Sequence, residues 1–261
     1  MPYSRRAAVY DVEYTEERDV GFILGLVGQA APSVLEVPCG AGRLSLRIAP
    51  YAGRLTVVDL EPEMVARTVA ALEREGHGGR IRGRVADMRE LRLEERFDLA
   101  LIPREALQLL PPEEGRQALA AAAAHVAPGG RLAVDLATFL PVPGGAPDPD
   151  YYDPARTDGV WATDWIRTLS DGSQLVRQSA QHHDGMSIRF DLQYRVLQGG
   201  RVAEDWAAGM RLHRYSRGWI DDARPDGMAV EAVHGDYDGS DFTGDSPRLI
   251  ALYRRGPAAG R

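Results

Sequence analysis

Three acidic residues and two glycines follow short apolar runs in the first third of the chain, and their types suit a nucleotide-like ligand. Glu36 closes the first run, and Gly40 and Gly42 follow it in a loop that opens onto a helix-compatible segment. Glycines let the backbone of such a loop approach a ligand closely. Asp59 and Asp87 end the next two runs. The Asp59 carboxylate can accept hydrogen bonds from ribose hydroxyls, and the Asp87 carboxylate can accept one from an adenine amino group.

Strands alternating with helices are needed to bring these residues together. The predicted strands are Val34–Val37, Leu55–Asp59, Ile81–Ala86, Phe97–Pro103 and Arg131–Leu136, and the predicted helices are Glu16–Ala30, Glu61–Glu75 and Pro111–Val126. This alternation predicts an α/β fold with a doubly wound, mostly parallel sheet of seven strands. The acids then share the carboxyl edge of the sheet, where ligands bind in open α/β folds.

The second half of the chain has a different pattern. Residues 141–149 are rich in proline and glycine and read as a linker. Four antiparallel strands are predicted after it, and two further strands are expected to resume the parallel pattern: Trp161–Leu169, Gln174–His182, Ser187–Leu197, Val202–Tyr215, Val230–Val233 and Leu249–Tyr253. We therefore expect an N-terminal lid segment (1–32), an α/β core (33–140), a linker and antiparallel insertion (141–215) and the last core strands (216–261).

Composition excludes several classes of function. The chain has 261 residues and a net charge of −7, which argues against nucleic acid as a partner. All 31 basic residues are arginine, so lysine-based covalent chemistry is excluded. No apolar run is long enough for a membrane span, and the single cysteine fits a reducing compartment. We expect a cytoplasmic protein that binds no metal, and the aromatic-rich insertion makes a homodimer possible.

The ordered set of motifs resembles the class I S-adenosylmethionine-dependent methyltransferases from Val34 to Leu136, and weakly as far as Arg255. The resemblance is strongest to a bacterial branch that includes amino-sugar and small-amine N-methyltransferases. It is carried by the loop Pro38-Cys39-Gly40-Ala41-Gly42-Arg43, the run Phe97-Asp98-Leu99-Ala100-Leu101-Ile102-Pro103 and the turn Ala127-Pro128-Gly129-Gly130. Pro38 stands where most of the family has a first glycine, which stiffens the loop but leaves Gly40 and Gly42 in place.

The resemblance implies a Rossmann-like methyltransferase fold, S-adenosyl-L-methionine as cofactor and a small-molecule acceptor. Glu36 would face the amino-acid portion of the cofactor, Asp59 the ribose, and Asp87 with Met88 the adenine. Arg43 or Tyr14 could meet the cofactor carboxylate. The full set of expected cofactor contacts is Tyr14, Glu36, Pro38, Gly40, Gly42, Arg43, Asp59, Leu60, Asp87, Met88 and Pro103.

A general base is needed only if the acceptor arrives protonated, and its identity stays open. The candidates are Glu105, just beyond the fourth strand, His213 in the antiparallel part, and Tyr14. Each also has a structural interpretation: Glu105 as a helix cap, His213 as a surface residue and Tyr14 as a packing residue.

The sequence favours methyl transfer to a nitrogen or oxygen of a small molecule in bacterial specialised metabolism. One alternative keeps the fold and cofactor site for a non-methylating reaction, such as a cyclisation, or for a non-catalytic partner. A more remote one is a nicotinamide-dependent oxidoreductase, which would want a third glycine where Ser45 stands.

Overall fold

Two β-sheets organise the protein, a large mixed sheet and a smaller antiparallel one. The computed structural model describes Val9, Val12, Glu13, Thr15 and residues 17–140 and 151–257. The strands are β1 (Ser33–Glu36), β2 (Arg54–Asp59), β3 (Ile81–Val85), β4 (Phe97–Ile102), β5 (Val126–Ala137), β6 (Ala162–Thr168), β7 (Gln174–His183), β8 (Ser187–Gln198), β9 (Arg201–His213), β10 (Met228–His234) and β11 (Arg248–Arg255). The helices are α1 (Arg18–Val27), α2 (Arg43–Ile48), α3 (Pro62–Arg74), α4 (Pro112–Ala124) and α5 (Arg217–Asp222).

The large sheet has the strand order β3-β2-β1-β4-β5-β11-β10. Its first five strands run parallel, and helices cover both faces, so β1 and β2 are buried almost along their whole length. Helix α3 shows how the sequence fits this arrangement. Pro62 occupies its first turn, where a missing N–H is tolerated, and Met64, Val65, Thr68 and Leu72 form its buried face.

The predicted fold class is confirmed, with a correction at its far edge. The expectation that the parallel pattern resumes after the insertion is wrong for β11, which runs antiparallel to both β5 and β10. Strand β5 also begins at Val126, so residues 128–130, which were predicted to form a turn after the helix Pro111–Val126, lie within a strand. The four predicted strands of the insertion are confirmed to within two residues at each end.

The antiparallel sheet has the order β6-β7-β8-β9 and packs one face against the rest of the protein. Ile188, Phe190, Leu192 and Tyr194 alternate along β8 on that face and are fully buried. The N-terminal segment is attached to the same face, because the Tyr194 hydroxyl donates a 2.7 Å hydrogen bond to the buried Glu13.

A buried glutamine connects the two sheets. Gln108 is completely buried, in a 3-10 helix over Ala106–Leu109 that follows β4. Its carboxamide nitrogen donates to Ala137 O at 3.1 Å and to His213 O at 2.9 Å, and its oxygen accepts from Ala137 N at 2.7 Å. The end of β9 is thereby fixed next to the carboxyl end of β5.

Within the described residues, none of the helices has both the length and the apolar character that crossing a bilayer requires.

Candidate functional site

A cleft of about 460 Å³ opens at the carboxyl edge of the large sheet, between that edge and strand β9. Its floor is formed by the segments that follow β1, β2, β3 and β4, and its roof by Tyr151 and residues 209–212. Nine of the eleven predicted cofactor contacts line it: Glu36, Pro38, Gly40, Arg43, Asp59, Leu60, Asp87, Met88 and Pro103. Tyr14 lies outside the described residues, and Gly42 is not one of the residues that line the cleft.

Asp59 orders the glycine loop. Its two carboxylate oxygens accept hydrogen bonds from the backbone N–H groups of Gly40 (2.9 Å) and Glu61 (3.0 Å). Thr68 supports the loop from behind by donating to Gly40 O at 2.9 Å. Gly42 adopts a φ of 90°, and a Cβ there would lie 3.0 Å from the Thr68 side chain, so the position requires glycine. Each Asp59 oxygen keeps a lone pair for a further donor.

Glu36 is a buried carboxylate at the head of the cleft. It is 1% exposed and accepts a 2.5 Å hydrogen bond from the Ser45 hydroxyl. The pKa of Glu36 is raised to about 8, because the effect of burial exceeds the opposing effects of the Ser45 hydrogen bond and the nearby Arg43. A buried carboxylate of this kind is suited to bind a cationic group of a ligand.

The adenine end of the predicted site contains an arginine that sequence reasoning missed. Arg89 donates two hydrogen bonds from Nε to the Asp87 carboxylate at 3.0 and 3.1 Å, and it also pairs with Glu114. The Arg89 hydrogen bonds hold the pKa of Asp87 below its ordinary value. Asp87 is therefore an ionised acceptor, and Met88 lies beside it as an apolar wall. The sequence did contain a signal for this contact, because Arg89 lies two residues after Asp87 and an Asp side chain often accepts a hydrogen bond from the backbone N–H two residues later.

Arg43 is oriented by helix α1. Its guanidinium forms two hydrogen bonds, at 2.8 and 2.6 Å, with the buried carboxylate of Asp19. This pairing fixes the side chain at the wall of the cleft next to Glu36. The predicted contact of Arg43 with the cofactor carboxylate stays a prediction, and so does that of Tyr14.

Glu105 lies in the cleft wall as part of a buried ion cluster. Tyr151 donates to it at 3.1 Å, and Arg248 forms ion pairs with both Glu105 and Asp135. Burial alone would raise the pKa of Glu105, but the positive charges of Arg248 and Arg104 outweigh it and the pKa is lowered. Glu105 is thus held as a carboxylate, which makes it a weak base.

His213 is not brought into the cleft. It is half-buried on β9, and burial together with nearby Arg211 lowers its pKa. Its backbone oxygen is bound by Gln108, and the cleft-lining residues of β9 end one position earlier, at Leu212. The structure therefore separates His213 from the residues with which a general base would act.

Comparison with known proteins decides the family. A family profile described as a methyltransferase domain matches residues 34–130, the segment that carries the glycine loop and all three strand-end acids. Residues 34–130 form a domain of the class I S-adenosylmethionine-dependent methyltransferases. For this domain the predicted family, enzyme class and cofactor are confirmed, and the nicotinamide-dependent alternative is set aside.

Individual relatives resemble this chain over different lengths. Nodulation protein S of Rhizobium tropici is 34% identical over 110 residues, which cover 42% of this chain and 45% of that protein. The chain thus spans about half the length of the curated relatives it matches. An amino pentose methyltransferase from Micromonospora echinaspora shares the fold with a TM-score of 0.67 and 22% identity, over 95% of this chain and 96% of the other. A sugar N-methyltransferase from Streptoalloteichus sp ATCC 53650 shares the fold with a TM-score of 0.69 and 20% identity, over 95% of this chain and 93% of the other.

The residues that line the cleft fit S-adenosylmethionine. S-adenosylmethionine supplies an electrophilic methyl group on a sulfonium, next to an ammonium, a carboxylate, a ribose diol and an adenine. Glu36 offers a buried carboxylate that would hold the ammonium, and Asp59 has lone pairs left for the diol. Asp87 and Met88 offer an acceptor and an apolar surface that would hold the adenine.

Replacing Asp59 by alanine is expected to weaken S-adenosylmethionine binding by about 100-fold, because the ribose contacts and the ordering of Gly40 and Glu61 are lost together. Isothermal titration measures the change. Asp98→Ala is the matched control, since Asp98 also accepts a backbone hydrogen bond, from Ser33 at 2.8 Å, but lies outside the cleft. Equal affinity of the two variants would remove the ribose role of Asp59.

Proposed function

We propose that the protein transfers the methyl group of S-adenosylmethionine to a nitrogen of a small-molecule acceptor. The observation that carries the proposal is the convergence of Glu36, Asp59 and Asp87 in one cleft that is roofed by strand β9. The floor of the cleft provides the cofactor contacts, and the space under the roof is left for an acceptor.

The chemistry of the cleft wall favours nitrogen over oxygen as the nucleophile. Methyl transfer is an in-line displacement, so alignment supplies much of the rate. A hydroxyl acceptor also needs a base, whereas a neutral amine attacks with its own lone pair. Glu105, the carboxylate next to the roof, is neutralised by Arg248 and Arg104 and has a lowered pKa. It is better suited to stabilise the local structure than to remove a proton.

The structural neighbours agree with this choice. One is an amino pentose methyltransferase and another a sugar N-methyltransferase, so this fold is used for N-methylation in at least the second of them. Their sequence identity to this chain is low, which is why they support the class of acceptor and not its identity. The homodimer and the cytoplasmic location expected from the sequence also remain proposals.

The test is an acceptor screen with the purified protein, S-adenosylmethionine and matched pairs of amines and alcohols of the same carbon skeleton. Formation of S-adenosylhomocysteine and of the methylated product is followed by mass spectrometry, with Asp59→Ala as the control for cofactor-dependent turnover. We expect methylated amines and no methylated alcohols. Turnover confined to alcohols would overturn the nitrogen assignment. Cofactor binding without any methylated product would favour a repurposed or non-catalytic relative.

A further inference from the structure

Strand β9 is an edge strand, and its free edge forms part of the cleft roof. It pairs with β8 on one side, and within the described part of the chain no strand pairs with its other side. Residues 209–212 of β9 line the cleft. An open strand edge presents backbone N–H and C=O groups that can pair with another extended chain.

The backbone groups that face the cleft can be identified from the register. In an antiparallel pair, the N–H and C=O of one residue point to the same side, and successive residues alternate. Arg214 N donates to Met186 O at 2.8 Å, on the β8 side, whereas His213 O accepts from Gln108 on the opposite side. The pairing with β8 is regular from Ala207 to His213. Gly209 and Arg211 therefore direct their backbone groups outward, as His213 does.

These outward groups are accessible. Gly209 and Arg211 are both exposed, and in the part of the chain that the structure describes their outward N–H and C=O groups have no hydrogen-bond partner. Gly209 has no side chain to cover the edge. The Arg211 guanidinium is held away by Asp184 at 2.9 Å and by the Ser187 hydroxyl at 2.6 Å.

The protein already places an amide on this edge. The carboxamide of Gln108 donates to His213 O, the next outward-facing group beyond Arg211. Two outward residues of a strand lie about 6.8 Å apart, which is also the repeat between amides that face one way in an extended peptide. Binding of main-chain amides to a sheet edge is a common mode of peptide recognition.

We propose that the acceptor is peptide-like: its amine is followed by an extended residue flanked by two amides, and the N–H and C=O of that residue pair with the outward backbone groups of Gly209 and Arg211. The inference rests on the proposed N-methylation and specifies the class of amine. The N–H of that residue, which belongs to the amide next to the amine, donates to a β9 carbonyl, and the C=O of the same residue accepts from a β9 N–H. This pairing orients the amine toward the cofactor methyl group.

The probes are alanyl-alanine N-methylamide and its depsipeptide analogue, in which an ester oxygen replaces the central amide N–H. We expect kcat/KM for methylation of the amide to exceed that of the ester by about tenfold, because the ester loses one hydrogen bond and faces a carbonyl with an oxygen.

Two proline substitutions on the same edge connect this preference to β9. Gly209→Pro removes an outward N–H without removing a bond to β8, and proline is tolerated on edge strands. Ala207→Pro removes the next outward N–H, which lies outside the cleft lining. We expect the amide-to-ester ratio to fall to about one in Gly209→Pro and to stay within about twofold of the unmodified protein in Ala207→Pro. Circular dichroism verifies that both variants are folded.

Each remaining outcome is decisive. Equal rates for the two probes, equal effects of the two prolines, or methylation of sugar amines with neither probe accepted would overturn the edge proposal and leave N-methylation intact. Failure to methylate any amine in the acceptor screen would instead overturn the proposed function itself.

Discussion

Replacing Glu36 by glutamine is expected to stabilise the cofactor-free protein at pH 9 and to weaken cofactor binding. The pKa of Glu36 is about 8 in the folded protein and 4.5 ordinarily. As pH rises from 4.5 to 8, the unfolded chain ionises this group while the folded protein keeps it protonated. The folded protein therefore loses stability across this window, by up to about 5 kcal/mol at about 1.4 kcal/mol per pKa unit. Glutamine removes this loss.

Urea unfolding at pH 5, 7 and 9 measures the effect. We expect Glu36→Gln to match the unmodified protein at pH 5 and to exceed it increasingly at pH 7 and 9. Glu73→Gln is the control, because Glu73 is exposed on α3 and its replacement should change stability by less than about 0.5 kcal/mol. If the free energies of unfolding of the Glu36 variant and the unmodified protein changed with pH in the same way, the pKa of Glu36 would not be raised in the folded protein.

The same substitution is expected to lower the affinity for S-adenosylmethionine, although it raises the stability of the cofactor-free protein. An ammonium beside Glu36 favours the carboxylate form, so binding at pH 7 releases a proton and affinity falls as pH is lowered below 8. Titration calorimetry in buffers of different ionisation enthalpy detects that proton. We expect Glu36→Gln to bind S-adenosylmethionine at least about tenfold more weakly and to release none. Proton release that persists in the variant would assign it to another group.

Replacing Arg248 by methionine is expected to destabilise the protein by about 3–5 kcal/mol, since it leaves the buried carboxylates of Glu105 and Asp135 without their shared cation. Tyr237 adds to the same cluster by donating to Asp135 at 2.8 Å. Chemical denaturation measures the loss.

Two further variants separate the charge effect from packing. Arg254→Met, on the same strand, breaks an exposed pair with Glu231 and should change stability by less than about 1 kcal/mol. Adding Glu105→Gln and Asp135→Asn to the Arg248 variant neutralises the stranded carboxylates and should recover most of the loss. A triple variant as unstable as the single one would place the cost in the cavity left by the guanidinium.

The sequence by itself determined the cofactor side of the cleft. Glu36, Asp59 and Asp87 each end a strand whose existence is written in a short apolar run, and the carboxyl ends of parallel strands meet at one edge whatever the order of those strands. Gly40 and Gly42 belong to the same local signal. Even the four strands of the insertion followed from alternation and turn residues, because each depends on neighbours within a few positions.

Tertiary structure alone decided the roof of the cleft and the ion cluster beside it. Arg248 meets Asp135 and Glu105 across 113 and 143 residues of sequence, and no local pattern indicates such pairing. The direction of β11 and the free edge of β9 depend on which strands become neighbours, and an isolated strand sequence does not contain that choice. The pKa of Glu105 depends in the same way on cations that reach it from elsewhere in the fold. Local sequence sets strands and turns, whereas burial, edges and charge compensation arise only when distant segments pack together.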